Sequence, residues 1–119
     1  MKENVIKIKS FGFAIRIVKL FQYLQNEKTE YVLSKQLLRS GTSVGALVRE
    51  AEHSESKADF IHKLAIAQKE INETIYWLEL LNATEYLTKE QFENINIDAI
   101  EIIKLITSII KSTNSKINN

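Results

Sequence analysis

A chain of 119 residues, 45% of them hydrophobic, makes one domain around a single core and is too apolar to be disordered except at its ends. It has no proline, no cysteine and only Gly12, Gly41 and Gly45, which excludes a disulfide framework or thiolate metal site and disfavours sheets with their punctuated turns. A net charge of +1 argues against a nucleic-acid binder built on bulk charge, and no run approaches the ~20 apolar residues of a membrane span, so an all-α cytoplasmic protein is expected.

The start, Met1-Lys2-Glu3-Asn4, leads into an amphipathic segment, so no signal peptide is expected. Helix one is predicted from about Val5 to about Gln25. It carries two apolar stripes side by side, Phe11, Ile15, Val18 and Phe21, then Phe13, Ile17, Leu20 and Leu24, wider together than one core needs. Its charge is lopsided: Lys2, Lys7, Lys9, Arg16 and Lys19 face only Glu3. Lys7, Lys9, Arg16 and Lys19 are therefore candidates for a polyanion surface, one that an oligomer would repeat. Asn26-Glu27-Lys28-Thr29 is the first connection.

Helix two is predicted from about Glu30 to about His53, with Leu33, Leu37, Ser40/Gly41, Val44, Val48 and Ala51 as its inner line. Two glycines inside it cost about 2 kcal/mol relative to alanine. A helix that keeps them gains close backbone approach to a neighbour; the rival reading is a break at Ser40-Gly41. Ser54-Glu55-Ser56 forms the turn, with a serine capping helix three. That helix runs from about Lys57 to about Leu81 along the seam Phe60, Leu64, Ala67, Ile71, Ile75, Leu78 and Leu81. Asn82 to Leu87 is the last loop, and Thr88 with Gln91 forms a capping box. Helix four, from about Lys89 to about Ser112, turns Ile95, Ala99, Ile102, Ile106 and Ile109 inward, widened by Ile103, Leu105 and Ile110. Residues 113–119 are polar and expected to fray. Short connections make this an antiparallel up-down-up-down four-helix bundle in one domain, 1–119. The surplus apolar width of the outer helices is expected to be covered by other copies of the chain.

Polar residues recur at helical spacing along helices two and three. Gln36, Arg39, Ser40, Ser43 and Glu50 lie on the first, and Lys63, Glu70 and Glu73 on the second. Arg39, Ser43, Glu50, Glu70 and Glu73 are expected to fix helix register or touch a second subunit, with Arg39 forking onto Glu70 or Glu73. Glu50/His53 and Asp59/His62 have the i, i+3 spacing of di-iron bundle ligands, but both pairs flank one turn at the end of the bundle. A metal-dependent enzyme on these four residues is the alternative; no metal, cofactor or catalytic residue is expected. No glycine-flanked nucleophile turn or phosphate loop is present. Tyr76 and Trp77 are expected to pack in the core or an interface.

The run Leu37-Leu38-Arg39-Ser40-Gly41-Thr42-Ser43-Val44-Gly45-Ala46 is followed by Arg49-Glu50-Ala51 and by Ser56-Lys57-Ala58-Asp59-Phe60-Ile61-His62-Lys63-Leu64. With Lys69-Glu70, Glu73-Thr74 and Trp77-Leu78, it resembles the 23S rRNA-intervening-sequence proteins. These are small bacterial four-helix bundles, some encoded within inserts in large-subunit ribosomal RNA genes. The match spans the middle of the chain, while helices one and four agree by pattern. The resemblance implies a ring-like homo-oligomer, often a pentamer, with no established catalytic residues. The family is similar to the accessory proteins of diversity-generating retroelements, which partner a reverse transcriptase and nucleic acid. Two positions depart from it: Leu47 where asparagine is usual, and Gln68 where an apolar residue is usual. The resulting expectation is a non-enzymatic homo-oligomeric scaffold for a protein or RNA partner, with a purely structural oligomer as a further alternative.

Overall fold

The computed structural model describes the backbone of residues 2–118 and the side chains of residues 5–115, so the Lys2 and Glu3 side chains lie outside the described residues. Four helices follow one another, α1 (Lys2–Asn26), α2 (Leu33–Ala51), α3 (Lys57–Ala83) and α4 (Lys89–Asn118). Each packs on its sequence neighbours and α1 closes onto α4, while among the described residues the backbones of the diagonal pairs stay more than 8 Å apart. The result is the expected up-down-up-down bundle, 51 Å long and about 20 Å across its 22 × 19 Å section.

The two glycines of α2 explain how α1 and α2 meet. A Cβ on Gly41 would stand 2.8 Å from Ile17 Cγ1, and one on Gly45 would stand 3.3 Å from the Ser10 carbonyl oxygen. The helix runs unbroken through Ser40-Gly41, so the glycines serve close approach and not a break. This contact also decides which stripe of α1 is internal. Phe13, Ile17 and Leu24 are buried with Ile6, whereas Phe11, Ile15 and Val18 are exposed. The inner line of α4 lies as expected; on α3, Leu64, Ala67, Ile71, Leu78 and Leu81 are buried with Thr74, while Phe60 and Ile75 of the expected seam are only partly buried against the core.

Helix boundaries differ from the expected ones for local reasons. The second helix starts at Leu33 and not at Glu30, because the Glu30 side chain folds onto its first N–H groups from two residues before the N-cap residue, Val32. The buried Glu30 carboxylate accepts the backbone N–H groups of Val32 (3.2 Å), Leu33 (3.0 Å) and Ser34 (2.7 Å), and the Ser34 hydroxyl donates to the Glu30 carbonyl. It ends at Ala51, before His53. Ser56 caps α3 by accepting the Asp59 N–H, and Asp59 accepts the Glu55 N–H in return. The third helix runs two residues past Leu81 and closes in a Schellman turn. There Tyr86 N–H donates to Leu81 O and Glu85 N–H to Asn82 O, with Glu85 at φ 68°. Thr88 and Gln91 form the expected reciprocal box. The fourth helix continues to Asn118, past the expected end at Ser112 and through the segment expected to fray.

Candidate functional site

The polar residues of α2 and α3 meet along one seam. Arg39 bonds Glu70 at 3.1 Å and also reaches Glu73, which accepts the Trp77 indole N–H at 2.9 Å. Arg39 is 49% exposed, against 17% for Glu70, so the fork sits at the rim of the seam. Beneath it, fully buried Ser40 and Thr74 share a hydroxyl–hydroxyl contact of 2.9 Å. Glu50 pairs with Lys63 at 3.5 Å farther along. The Ser43 hydroxyl donates to the Arg39 carbonyl of its own helix. Within the chain, the hydroxyl pair and the Arg39 fork each match one residue of α2 to one level of α3.

The basic residues of α1 do not form an uncommitted patch. Lys7 pairs with Glu52 at 3.3 Å, Lys9 with Glu101, and Arg16 with Asp98 at 2.5 Å and with Asn94. The hydrogen bond and charge of Glu101 hold the Lys9 amine above its ordinary range. Of the four polyanion candidates, Lys19 alone has no carboxylate partner among the described residues. Three of them thus serve the α1–α2 and α1–α4 seams.

The four residues of the metal-enzyme alternative do not converge. Glu50 is on Lys63, Asp59 is occupied in the α3 cap, and His53 and His62 are exposed. Among the described residues no three histidine or acidic side chains are grouped as a metal ion requires. A cleft at that end of the bundle is lined by Ile6, Val48, Phe60, Leu64 and Ile109, with Lys7, Glu52, Glu55 and Lys57 at its edge. Neither histidine lines it.

Two apolar strips face away from the core. On α1, Ile8 (73% exposed), Phe11 (52%), Ile15 and Val18 form a line opposite the Phe13–Ile17 face, with the Arg49 guanidinium 5.0 Å above the Phe11 ring. On α4, Ile97 and Ile100 are exposed beside Lys104. Ile8, Ile97 and Ile100 were not in the expected stripes. Ile8 lies three residues before Phe11 and seven before Ile15, a spacing that identifies it. Glu30 was also missed as a cap, since glutamate at that position is not a usual signal. Of the two departures, Leu47 packs against the core and Gln68 donates to Thr107 of α4 at 2.7 Å, a contact within the chain. Tyr76 is exposed, its ring edge-on to Trp77, which packs on the core. No helix among the described residues is long and apolar enough to cross a membrane.

Comparison with known proteins agrees with this architecture. A solved structure from Bacteroides thetaiotaomicron VPI-5482, a protein with unknown function from the S23 ribosomal protein family, is 64% identical. It superposes with a TM-score of 0.92, the match covering 93% of this chain and 99% of that one. No curated protein matches. A family model described as 23S rRNA-intervening sequence protein matches residues 2–108, most of the bundle, and the chain belongs to that family.

Proposed function

We propose that the chain is a non-enzymatic, self-associating four-helix bundle that acts as a cytoplasmic scaffold. The observation that carries this reading is the α1 strip Ile8–Phe11–Ile15–Val18, which is apolar, continuous over three turns and uncovered. A strip of this kind on a single helix favours burial against another protein surface, and another copy is the partner always at hand. A five-membered ring is the number that the resemblance implies.

Light scattering on the purified protein tests the proposal: a mass several times that of one chain is expected, and a single-chain mass at all concentrations sinks it. An RNA partner is supported by the tie of such proteins to ribosomal RNA genes and by the uncommitted Lys19. Contact through Lys7, Lys9 and Arg16 would require them to leave their carboxylates. RNA binding should fall steeply as salt rises, because it releases counterions. A titration with no binding at low ionic strength leaves the purely structural oligomer.

A further inference from the structure

We infer that assembly is head-to-tail, with the α1 strip of one copy seated on the Ile97–Ile100 strip of α4 in the next and the two bundle axes parallel. This rests on the self-association proposed above and adds the surfaces and their polarity. The two strips lie on different helices and carry opposite flanking charge. Beside the α1 strip stand Lys19 and Arg49, neither in an ion pair; before the α4 strip stand Glu90 and Glu93 and beyond it Lys104, also unpaired among the described residues, so the α4 surface carries two free carboxylates against one free cation. Pairing α1 with α1 would bring like cations together, and pairing α4 with α4, which can set Glu93 against Lys104, would leave the longer α1 strip uncovered, so only the mixed contact covers both strips without gathering like charge.

The heights of the strips also agree. Within one chain, Lys9 meets Glu101, and Arg16 meets Asp98 and Asn94, so these pairs act as rungs between α1 and α4. On that ladder Phe11 and Ile15 stand level with Ile100 and Ile97. Lys19, one turn beyond Arg16, stands level with Glu90, and both border the same cleft in one chain. Two copies with parallel axes therefore set isoleucine against the Phe11–Ile15 strip and Lys19 near Glu90 and Glu93, without sliding along the axis. A third observation lies at the edge of the α4 strip, where the buried Asn96 Oδ1 has no hydrogen-bond donor in the isolated chain. Such a contact uses a different surface on each side, so it propagates from copy to copy and closes into a ring if the rotation allows.

The test uses Ile15→Lys and Ile97→Lys, both outward-facing positions, each checked for a helical circular dichroism spectrum and a cooperative melt. Ile15→Ser and Ile97→Ser replace any variant that fails that check. Each variant alone should run as a single subunit in sedimentation, because each has lost one half of the contact. Mixed in equal amounts, they should form a one-to-one pair and nothing larger, since only one good interface remains. Lys19→Glu should weaken wild-type assembly by up to about fivefold per contact, and adding Glu93→Lys should restore it. Assembly of Ile97→Lys by itself, or no pairing in the mixture, overturns the inference while leaving self-association standing. A wild-type chain that is itself a single subunit removes both.

Discussion

Two residues carry local chemistry that the pattern of apolar positions does not reveal. Glu85 occupies the left-handed position of the α3 Schellman turn, where a side chain costs free energy and glycine does not. Its side chain is exposed and has no hydrogen bond or ion pair among the described residues. Glu85→Gly should therefore stabilise the chain by about 0.5–1 kcal/mol, read as a thermal midpoint a few degrees higher. Glu30 is the opposite case, a carboxylate that the fold needs charged. Burial pushes its carboxyl up, but the Leu33, Ser34 and Val32 N–H groups and the Ser34 hydroxyl together outweigh that and hold it below its ordinary 4.5. A depressed carboxyl stabilises the fold fully above its ordinary value, and the contribution is lost as pH falls through the lowered one. Glu30→Gln should cost about 0.5–2 kcal/mol near neutral pH, the range of a lost helix cap. Urea melts of both proteins at neutral pH and near pH 3 should show that gap narrowing in acid. A gap independent of pH would mean that the charge contributes nothing.

Between helices, what decides stability is how near two backbones come and how wet their polar links are. Ile17 is fully buried and cannot retreat from a methyl placed at Gly41, so Gly41→Ala should overpack the α1–α2 contact. About 1–3 kcal/mol of strain there exceeds the roughly 1 kcal/mol gained in helix propensity. Nothing stands within 4 Å of a Cβ at Gly12, and Gly12→Ala should gain up to about 1 kcal/mol in the same denaturation assay. A deeply buried Arg39 fork would cost about 3–5 kcal/mol on truncation, because a charge would be stranded. Arg39 is half exposed, so water and salt screen its carboxylates, and Arg39→Ala should cost about 0.5–1.5 kcal/mol. A loss that shrinks with added salt identifies the screened pair. Register of the seam then falls to Ser40 and Thr74, which were legible only in part. Ser40 stood on the apolar line of its helix, but Thr74 lay off the predicted α3 seam, and hydroxyl pairs have no spacing rule of their own.

At the scale of the molecule, four amphipathic periods and three short connections dictate the bundle, so its architecture was readable from the chain alone. The orientation of α1 was not. Its Phe11–Ile15–Val18 and Phe13–Ile17–Leu24 stripes have the same helical spacing, and periodicity cannot rank them. The choice is made by α2, whose Gly41 and Gly45 admit Ile17 and Ser10 and leave the other stripe outside. The candidate surface is thus what remains once the core has taken its share, which is why Ile97 and Ile100 of α4 were invisible until the bundle was closed. An uncovered strip also couples assembly to stability. If copies bury it against each other only when folded, association draws the folding equilibrium toward the native side. A tenfold rise in protein concentration should then add up to about 1.4 kcal/mol per subunit and raise the thermal midpoint by several degrees. Phe11→Ser should abolish that concentration dependence while lowering the dilute-limit midpoint only by the roughly 0.5–1 kcal/mol of the Arg49 contact, because Phe11 lies outside the core of the single subunit. Calorimetric scans over a hundredfold concentration range check both. A wild-type midpoint that does not move means that the strip stays wet and that the fold stands without a partner.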